Sequence, residues 1–152
     1  MIVLEPIGVV RSARDDLRDD HWGDVVAEIV LDDRLPEEAL DGLEEFSHVE
    51  VIYHFHRVAE AAIVAGARHP RNNPVWPRVG IFAQRGKKRP NRVGATVARV
   101  VRRAGRSLYV QGLDAVDGTP VLDIKPVMRE FLPREPVAQP EWATELMRDY
   151  WG

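Results

Sequence analysis

Two histidines, His54 and His56, are the first side chains whose spacing suggests chemistry. Alternate residues of a strand project to the same side, so this pair could chelate a metal ion. A zinc site needs at least three protein ligands, and because the chain has no cysteine the third would be His48, His21, His69 or a carboxylate. The other interpretation is that His48 and His54 are surface or cleft residues of a half-polar strand. We therefore expect no bound metal.

Sequence motifs of several common enzyme classes are missing. No glycine-rich motif enters a helix as in dinucleotide-binding folds, and no phosphate-binding P-loop motif occurs, which argues against kinases, ATPases and Rossmann enzymes. The only serines are Ser12, Ser47 and Ser107, and none lies in the context of a nucleophile elbow. With no cysteine, disulfides and thiol nucleophiles are excluded as well.

Charge is strongly segregated along the chain. Residues 1–67 carry sixteen Asp and Glu against five Arg, whereas residues 68–106 carry twelve Arg and Lys and no acid. One interpretation is a solvated face whose acidic partners come from elsewhere in the fold. The other is a surface for a polyanion such as RNA, because twelve cations without an interleaved acid cannot form local ion pairs.

Length and composition predict one globular domain spanning residues 1–152. The chain has 152 residues, 45% of them hydrophobic and 30% charged, with a net charge of -3. No apolar run approaches the roughly 18 to 20 residues of a membrane span, and the first residues do not resemble a signal peptide. We therefore expect a cytoplasmic protein with no membrane partner.

Alternation of apolar and polar residues predicts a mainly β fold. Short helices are expected at Pro36–Leu43 and at the C-terminus, and the proline-rich residues 59–77 are expected to form a long irregular loop. Five to eight short strands in a chain of this size predict a small antiparallel β-barrel, closed or nearly closed, with short flanking helices. The predicted strands are Ile2–Val10, Val25–Leu31, Val49–Phe55, Val79–Gln84, Ala95–Val101, Ser107–Gln111 and Val121–Ile124.

The predicted C-terminal helix carries a large aromatic surface. Pro140 suits its first turn, and Trp142, Leu146 and Tyr150 recur at the spacing of one helical stripe, followed at once by Trp151. Such a surface has to be covered by protein. It either docks onto the chain's own barrel or packs against a second subunit.

Four ordered motifs together resemble one family. They are residues 79–94, which contain Arg-Pro-Asn, and residues 112–126, which contain Asp-Gly-Thr-Pro and Asp-Ile-Lys-Pro, supported by Pro6–Ser12 and Gly42–His48. This set, running from about residue 6 to 127, resembles the TsaA-like (TrmO) family of S-adenosylmethionine-dependent tRNA methyltransferases.

The resemblance implies a fold and a reaction. The family fold is a small β-barrel, unrelated to the Rossmann methyltransferases, that forms a homodimer and binds S-adenosylmethionine near the subunit boundary. The reaction is N6-methylation of threonylcarbamoyladenosine next to the tRNA anticodon. Two alternatives stay open: a methyltransferase of the same fold with another acceptor, and a noncatalytic RNA-binding barrel that uses the basic loop at residues 85–92.

The resemblance also implies a set of cofactor-binding residues. Asp114 suits a cationic or hydroxyl-bearing part of the cofactor, and the glycine near it permits close approach of the backbone. The implied set is His21, Trp22, Phe55, His56, Arg57, Arg85, Ala95, Gln111, Gly112, Leu113 and Asp114.

The basic loop carries the predicted RNA-binding residues. Its cations form a compact anion site, and Arg or Asn there could read the edge of a base. The residues are Lys87, Lys88, Arg89, Asn91 and Arg92.

Catalysis at N6 requires help with a proton. The lone pair of the substituted nitrogen is delocalised, so a base or strong hydrogen-bond acceptor should assist, and the candidates are Asp117, Asp123 and Lys125. Structural alternatives exist for all three. Asp117 would cap the Asp-Gly turn, and Asp123 and Lys125 would pair on one strand face.

Overall fold

Strands make up most of the regular structure. The computed structural model describes residues 1–152. It contains strands β1 (Gly8–Arg11), β2 (Val26–Leu31), β3 (His48–His54), β4 (Ala67–Arg68), β5 (Val79–Gly80), β6 (Val93–Ala104), β7 (Ser107–Gln111) and β8 (Pro120–Pro126), and one α-helix, α1 (Glu141–Leu146). Short 3-10 helices lie at Glu37–Leu40, Leu43–Glu45, Glu60–Ala62, Pro70–Asn72, Ile81–Ala83, Pro90–Arg92 and Arg129–Phe131.

Six strands close into a barrel. Their order is β1-β2-β7-β6-β3-β8, and every neighbouring pair is antiparallel. β6 and β7 form a hairpin that turns at Gly105, which has a left-handed φ of 59°. β4 and β5 form a separate two-stranded ribbon. The predicted antiparallel barrel is therefore confirmed.

The barrel interior is the hydrophobic core. Along β3 the inward residues Val49, Val51 and Tyr53 are at most 2% exposed, while alternate residues such as His48 and His54 are only partly buried. This is the alternation from which β3 was predicted.

No helix in the structure has the length and apolar character needed to cross a membrane.

The predicted strand at residues 79–84 is only partly correct. Pairing stops after Gly80, and the chain turns through a 3-10 helix that buries Ile81. The amide of Gln84 then donates to the carbonyls of Arg68 (2.9 Å) and Val79 (3.0 Å). These side-chain hydrogen bonds fold the segment back onto the β4–β5 ribbon, which alternation alone cannot reveal.

The predicted first strand, residues 2–10, is too long at its start. Pairing with the barrel begins at Gly8, and Met1–Leu4 are exposed. The predicted helix at Pro36–Leu43 is a 3-10 helix that ends at Leu40. Residues 59–77 are irregular as expected, apart from β4 and two short 3-10 helices.

The C-terminal helix is shorter than the spacing of Trp142, Leu146 and Tyr150 predicted. α1 ends at Leu146, so Tyr150 lies in the turns that follow rather than on the helix. The segment nevertheless packs against its own chain, since Trp142, Leu146 and Tyr150 are all half-buried.

Candidate functional site

A cleft of about 890 Å³ lies between the barrel and the C-terminal segment. The barrel contributes the end of β3, the start of β6 and residues 114–116, and the opposite wall is formed by residues 139–151. Residues 83–87, which include the start of the basic loop, line its rim. This size matches the sites that bind cofactors and small molecules in proteins.

A carboxylate at the centre of the cleft collects three hydroxyl groups. Asp114 Oδ1 accepts hydrogen bonds from Tyr53 (2.9 Å) and from Thr96, and Oδ2 accepts one from Tyr150. Burial, and then the negative charge of Asp114, raise the pKa of Tyr53 and of Tyr150 far above the ordinary value. Both phenols therefore stay protonated and act as donors at neutral pH.

A glycine on β6 makes room for the aromatic floor of the cleft. A Cβ at Gly94 would lie 2.6 Å from ring atoms of Tyr53 and 2.9 Å from Phe55. The two rings meet edge to face, with centroids 5.4 Å apart. Only a residue without a side chain permits this packing, which sets the direction of the Tyr53 hydroxyl.

His56 places a neutral imidazole in the cleft. Desolvation, followed by the charges of Arg57 and His54, lowers the pKa of His56 below its ordinary value. The ring is therefore uncharged at neutral pH and can accept a proton or a hydrogen bond. His54 does not line the cleft, although desolvation and Arg92 lower its pKa too. No three His, Cys, Asp or Glu side chains come together as a metal site.

Cations of the cleft differ in how they are held. Arg71 pairs with Asp20 at 3.0 Å, whereas Arg57 and Arg85 donate to backbone carbonyls. Lys87 forms no salt bridge, and desolvation lowers its pKa. Lys87 is thus the cation on this rim with the greatest freedom to meet an anion.

The segregated charge is only partly neutralised within the chain. Of the twelve cations in residues 68–106, only Arg71 and Arg103 form ion pairs with carboxylates. Half of the others donate to backbone carbonyls, which leaves their charge uncompensated. Acidic partners from elsewhere in the fold therefore account for two of these cations, and the surface for a polyanion stays a prediction.

The predicted RNA-binding residues separate into two groups. Arg89 donates to the carbonyl of Gln84 (2.6 Å) and Arg92 to that of Val58 (2.8 Å), so both guanidinium groups also hold the loop in shape. Asn91 is exposed and has a left-handed φ of 64°. Lys87 lines the cleft and Lys88, its neighbour, does not.

The cofactor-binding prediction is divided between cleft and barrel. Seven of its residues line the cleft: Trp22, Phe55, His56, Arg57, Arg85, Ala95 and Asp114. Leu113 is fully buried in the core, and Gln111 accepts from Arg99. Gly112 and His21 lie beside the C-terminal segment: a Cβ at Gly112 would lie 4.0 Å from the Trp151 ring, and the His21 N–H is bonded to the Asp149 carbonyl.

The three predicted proton acceptors lie outside the cleft. Asp117 Oδ1 accepts from the Ser12 backbone N–H at 3.0 Å, so it ties β1 to the turn rather than capping it. Asp123 and Lys125 form an exposed ion pair at 3.0 Å, which matches the structural alternative. Their catalytic roles stay predictions.

Sequence reasoning missed several cleft residues. Thr96 belongs to no motif, Tyr150 was expected only on the stripe of the C-terminal helix, and Tyr53 was placed only within a predicted strand. One signal was present, because Tyr53 and Thr96 are polar residues on inward faces of the paired strands β3 and β6. Buried hydroxyl groups need an acceptor, and Asp114 is that acceptor.

Residues 19–131 match the model of the tRNA-methyltransferase O N-terminal domain family. The chain belongs to this family. Its resemblance to the TsaA-like (TrmO) proteins is thereby confirmed.

Individual relatives agree with the family match. A Pyrococcus abyssi protein named probable S-adenosyl-L-methionine-binding protein is 38% identical over 145 residues, covering 90% of this chain and 74% of the relative. The Mus musculus tRNA (adenine(37)-N6)-methyltransferase is 42% identical over 96 residues, covering 63% of this chain. This chain spans only 22% of that mouse protein and 23% of its Homo sapiens counterpart.

A solved structure shares the fold. The crystal structure of TrmO from Pseudomonas aeruginosa superposes with a TM-score of 0.75 and 27% sequence identity. The match covers 93% of this chain and 62% of that one.

Proposed function

We propose that this chain is an S-adenosylmethionine-dependent methyltransferase acting on N6 of threonylcarbamoyladenosine next to the tRNA anticodon. The observation that carries the proposal is the cleft itself. Residues far apart in sequence, from Trp22 to Asp114, line one cavity of about 890 Å³, and the family motifs imply these same residues for the cofactor. The names of the mammalian and archaeal relatives agree with it.

The cleft fits the chemistry of the cofactor. S-adenosylmethionine presents an aromatic base, ribose hydroxyls, an ammonium group and a carboxylate. Phe55 and Trp142 offer aromatic surface, Asp114 offers an acceptor, and Arg57 and Arg85 offer positive charge. When bound, the cofactor supplies a methyl group on a sulfonium, whose transfer to N6 releases S-adenosylhomocysteine and leaves the N6 proton to be removed.

Within the cleft, His56 is the group suited to take that proton. Its imidazole is neutral at neutral pH and lies in the cleft, whereas the carboxylates of Asp117 and Asp123 lie outside it. The protein's remaining contribution is alignment of the acceptor nitrogen with the methyl group. A general base of this kind contributes about 10²- to 10⁴-fold to the rate.

The RNA partner and the assembly are part of the same proposal. Lys87 and Lys88 carry the basic loop's contact with tRNA phosphates. The chain forms a homodimer with its clefts near the interface. Val97, which lines the cleft, and Phe82, beside it, are large apolar side chains that are 46% and 76% exposed, and such a dimer would cover them. A tRNA substrate agrees with the predicted cytoplasmic location.

Calorimetry with S-adenosylmethionine tests the cofactor assignment. We expect binding by the wild-type chain, and weaker binding by Arg85→Ala and Asp114→Ala with unchanged folding. Unchanged affinity in both variants would reject the site. No binding or thermal shift at saturating cofactor, together with salt-sensitive RNA binding, would favour the noncatalytic RNA-binding barrel.

A further inference from the structure

The C-terminal wall of the cleft lies beyond the family match. That match ends at residue 131, and residues 128–141 are exposed and make no hydrogen bond to the barrel. The chain then returns and lines the cleft from Gln139 to Trp151. The wall is therefore a short segment that an exposed stretch of chain, residues 128–141, connects to the barrel.

Three backbone hydrogen bonds dock this segment. The N–H groups of residues 21–23 donate to the carbonyls of residues 149–151 at 3.0, 2.8 and 2.8 Å. A Cβ at Gly23 would lie 2.1 Å from the Trp151 carbonyl oxygen, so only glycine permits this approach. The close packing fixes where Tyr150 enters the cleft.

Tyr150 donates to the carboxylate of Asp114, whose acceptor sites are nearly all occupied by hydrogen bonds. A carboxylate has about four lone-pair sites, two on each oxygen. Tyr53 and Thr96 occupy Oδ1 of Asp114, and Tyr150 occupies one site on Oδ2. The open acceptor position is therefore the second site on Oδ2, and Tyr150 is the group that sets its direction.

We propose that Tyr150 is a positioning residue: docking of the C-terminal segment places its hydroxyl on Asp114, closes the cleft and aims one free acceptor of Asp114 at a ligand donor. This inference rests on the proposed function for the identity of the ligand. It adds that the bound group at Oδ2 is a single hydroxyl or ammonium donor. It also couples the segment's docking to ligand binding.

Binding of S-adenosylhomocysteine, an unreactive probe, tests the positioning role. We expect Tyr150→Phe to weaken its affinity at least about tenfold. The matched control is Tyr109→Phe, which removes a phenol bonded to Glu28 at 3.1 Å, outside the cleft, and should bind like the wild type. Because Tyr150 acts through Asp114, adding Tyr150→Phe to Asp114→Asn should cause almost no further loss, whereas an independent structural effect would add.

Thiol labelling tests the docking without any ligand. The chain has no cysteine, so Ala115→Cys, under the wall at 3% exposure, reports opening of the cleft, and Ala98→Cys, in the core outside the cleft, reports global unfolding. We expect residue 115 to react faster than residue 98. Tyr150→Phe should accelerate labelling at residue 115 only, and S-adenosylhomocysteine should slow it.

The two measurements separate the possible failures. Equal labelling rates at both positions, or no effect of Tyr150→Phe on labelling, would overturn the docking. Wild-type affinity in Tyr150→Phe, or additive losses in the double variant, would overturn the positioning role. If the wild type fails to bind the probe, the cofactor assignment of the proposed function falls and the ligand part of this inference falls with it. The labelling result still decides on the docking.

Discussion

The hydroxyl of Tyr53, on β3, lies 2.9 Å from Oδ1 of Asp114, which follows β7. This hydrogen bond links two parts of the barrel whose strands are not neighbours in the closed sheet. The carboxylate of Asp114, the central acceptor of the cleft, is therefore held by Tyr53, a residue of the hydrophobic core. The geometry of the site and the stability of the barrel are consequently linked.

Alkaline pH should destabilise the fold through Tyr53. Its pKa is raised in the folded chain, while the unfolded chain releases the phenol proton near pH 10. Stability is therefore fully present below about pH 10 and is lost as the pH rises further, by about 1.4 kcal/mol per pH unit for each such tyrosine. Urea unfolding between about pH 8 and 11 measures this decline, and Tyr53→Phe should make it shallower. An equally steep decline in Tyr53→Phe would contradict the assignment.

Adding a methyl group at Gly23 should release the C-terminal wall. Gly23→Ala places a Cβ against the Trp151 carbonyl, so we expect faster amide hydrogen exchange at residues 21–23 and weaker cofactor binding. Gly66→Ala is the control, because nothing lies within 4 Å of its Cβ. Unchanged exchange in Gly23→Ala would show that the segment tolerates the added atom.

Replacing His56 should slow methyl transfer. We expect His56→Gln to lower kcat by about 10²-fold or more, whereas His54→Gln, at the end of β3 and outside the cleft, should leave it nearly unchanged. Because the pKa of His56 is lowered, the wild-type rate should be full at neutral pH and fall only as the pH drops below about 6.5. Methyl transfer measured across pH checks both effects. A His56→Gln variant with the wild-type rate and pH profile would exclude this base.

Removing two lysines should weaken RNA binding and flatten its salt dependence. Each phosphate contact that the double variant Lys87→Ala with Lys88→Ala removes should reduce the log-log slope by about 0.9 or less. Arg103→Ala removes a cation already paired with Asp41 at 2.5 Å and should leave the slope unchanged. Titration of labelled tRNA at several salt concentrations measures the slopes. The same slope in the double variant would place this loop away from the RNA.

Deleting residues 140–152 should affect both assembly and ligand binding. The deletion removes one wall of the cleft beside the proposed interface. We expect light scattering to show a full-length dimer at micromolar concentration and a weaker one after truncation, with reduced cofactor affinity. A full-length monomer would refute the dimer. Unaltered assembly and affinity after truncation would assign the segment to neither role.

Local patterns predicted the barrel well because its strands are simple. Val49, Val51 and Tyr53 alternate with polar residues, and Gly105 supplies the left-handed turn between β6 and β7. The strand predicted at 79–84 is shorter in the structure because the Gln84 amide bonds to carbonyls of the β4–β5 ribbon. No local pattern contains that tertiary interaction.

The candidate site was predictable only in part. Asp114, Arg85 and His56 were found through the family motifs, and they meet in the cleft. Tyr150 was expected on a helical stripe, but its contact with Asp114 depends on how the chain turns after α1 and docks beside Gly23. That docking is a tertiary event, so spacing along the sequence could not predict it.

The most direct test of the central claim is methyl transfer to defined tRNA. Purified protein is incubated with S-adenosylmethionine and tRNA carrying threonylcarbamoyladenosine, and the nucleosides are analysed by mass spectrometry, with Asp114→Ala as the control. We predict one added methyl group on the N6 of that nucleoside with the wild type and a strongly reduced amount with the variant. Threonylcarbamoyladenosine left unmethylated by a wild-type protein that binds both cofactor and tRNA would contradict the proposed reaction.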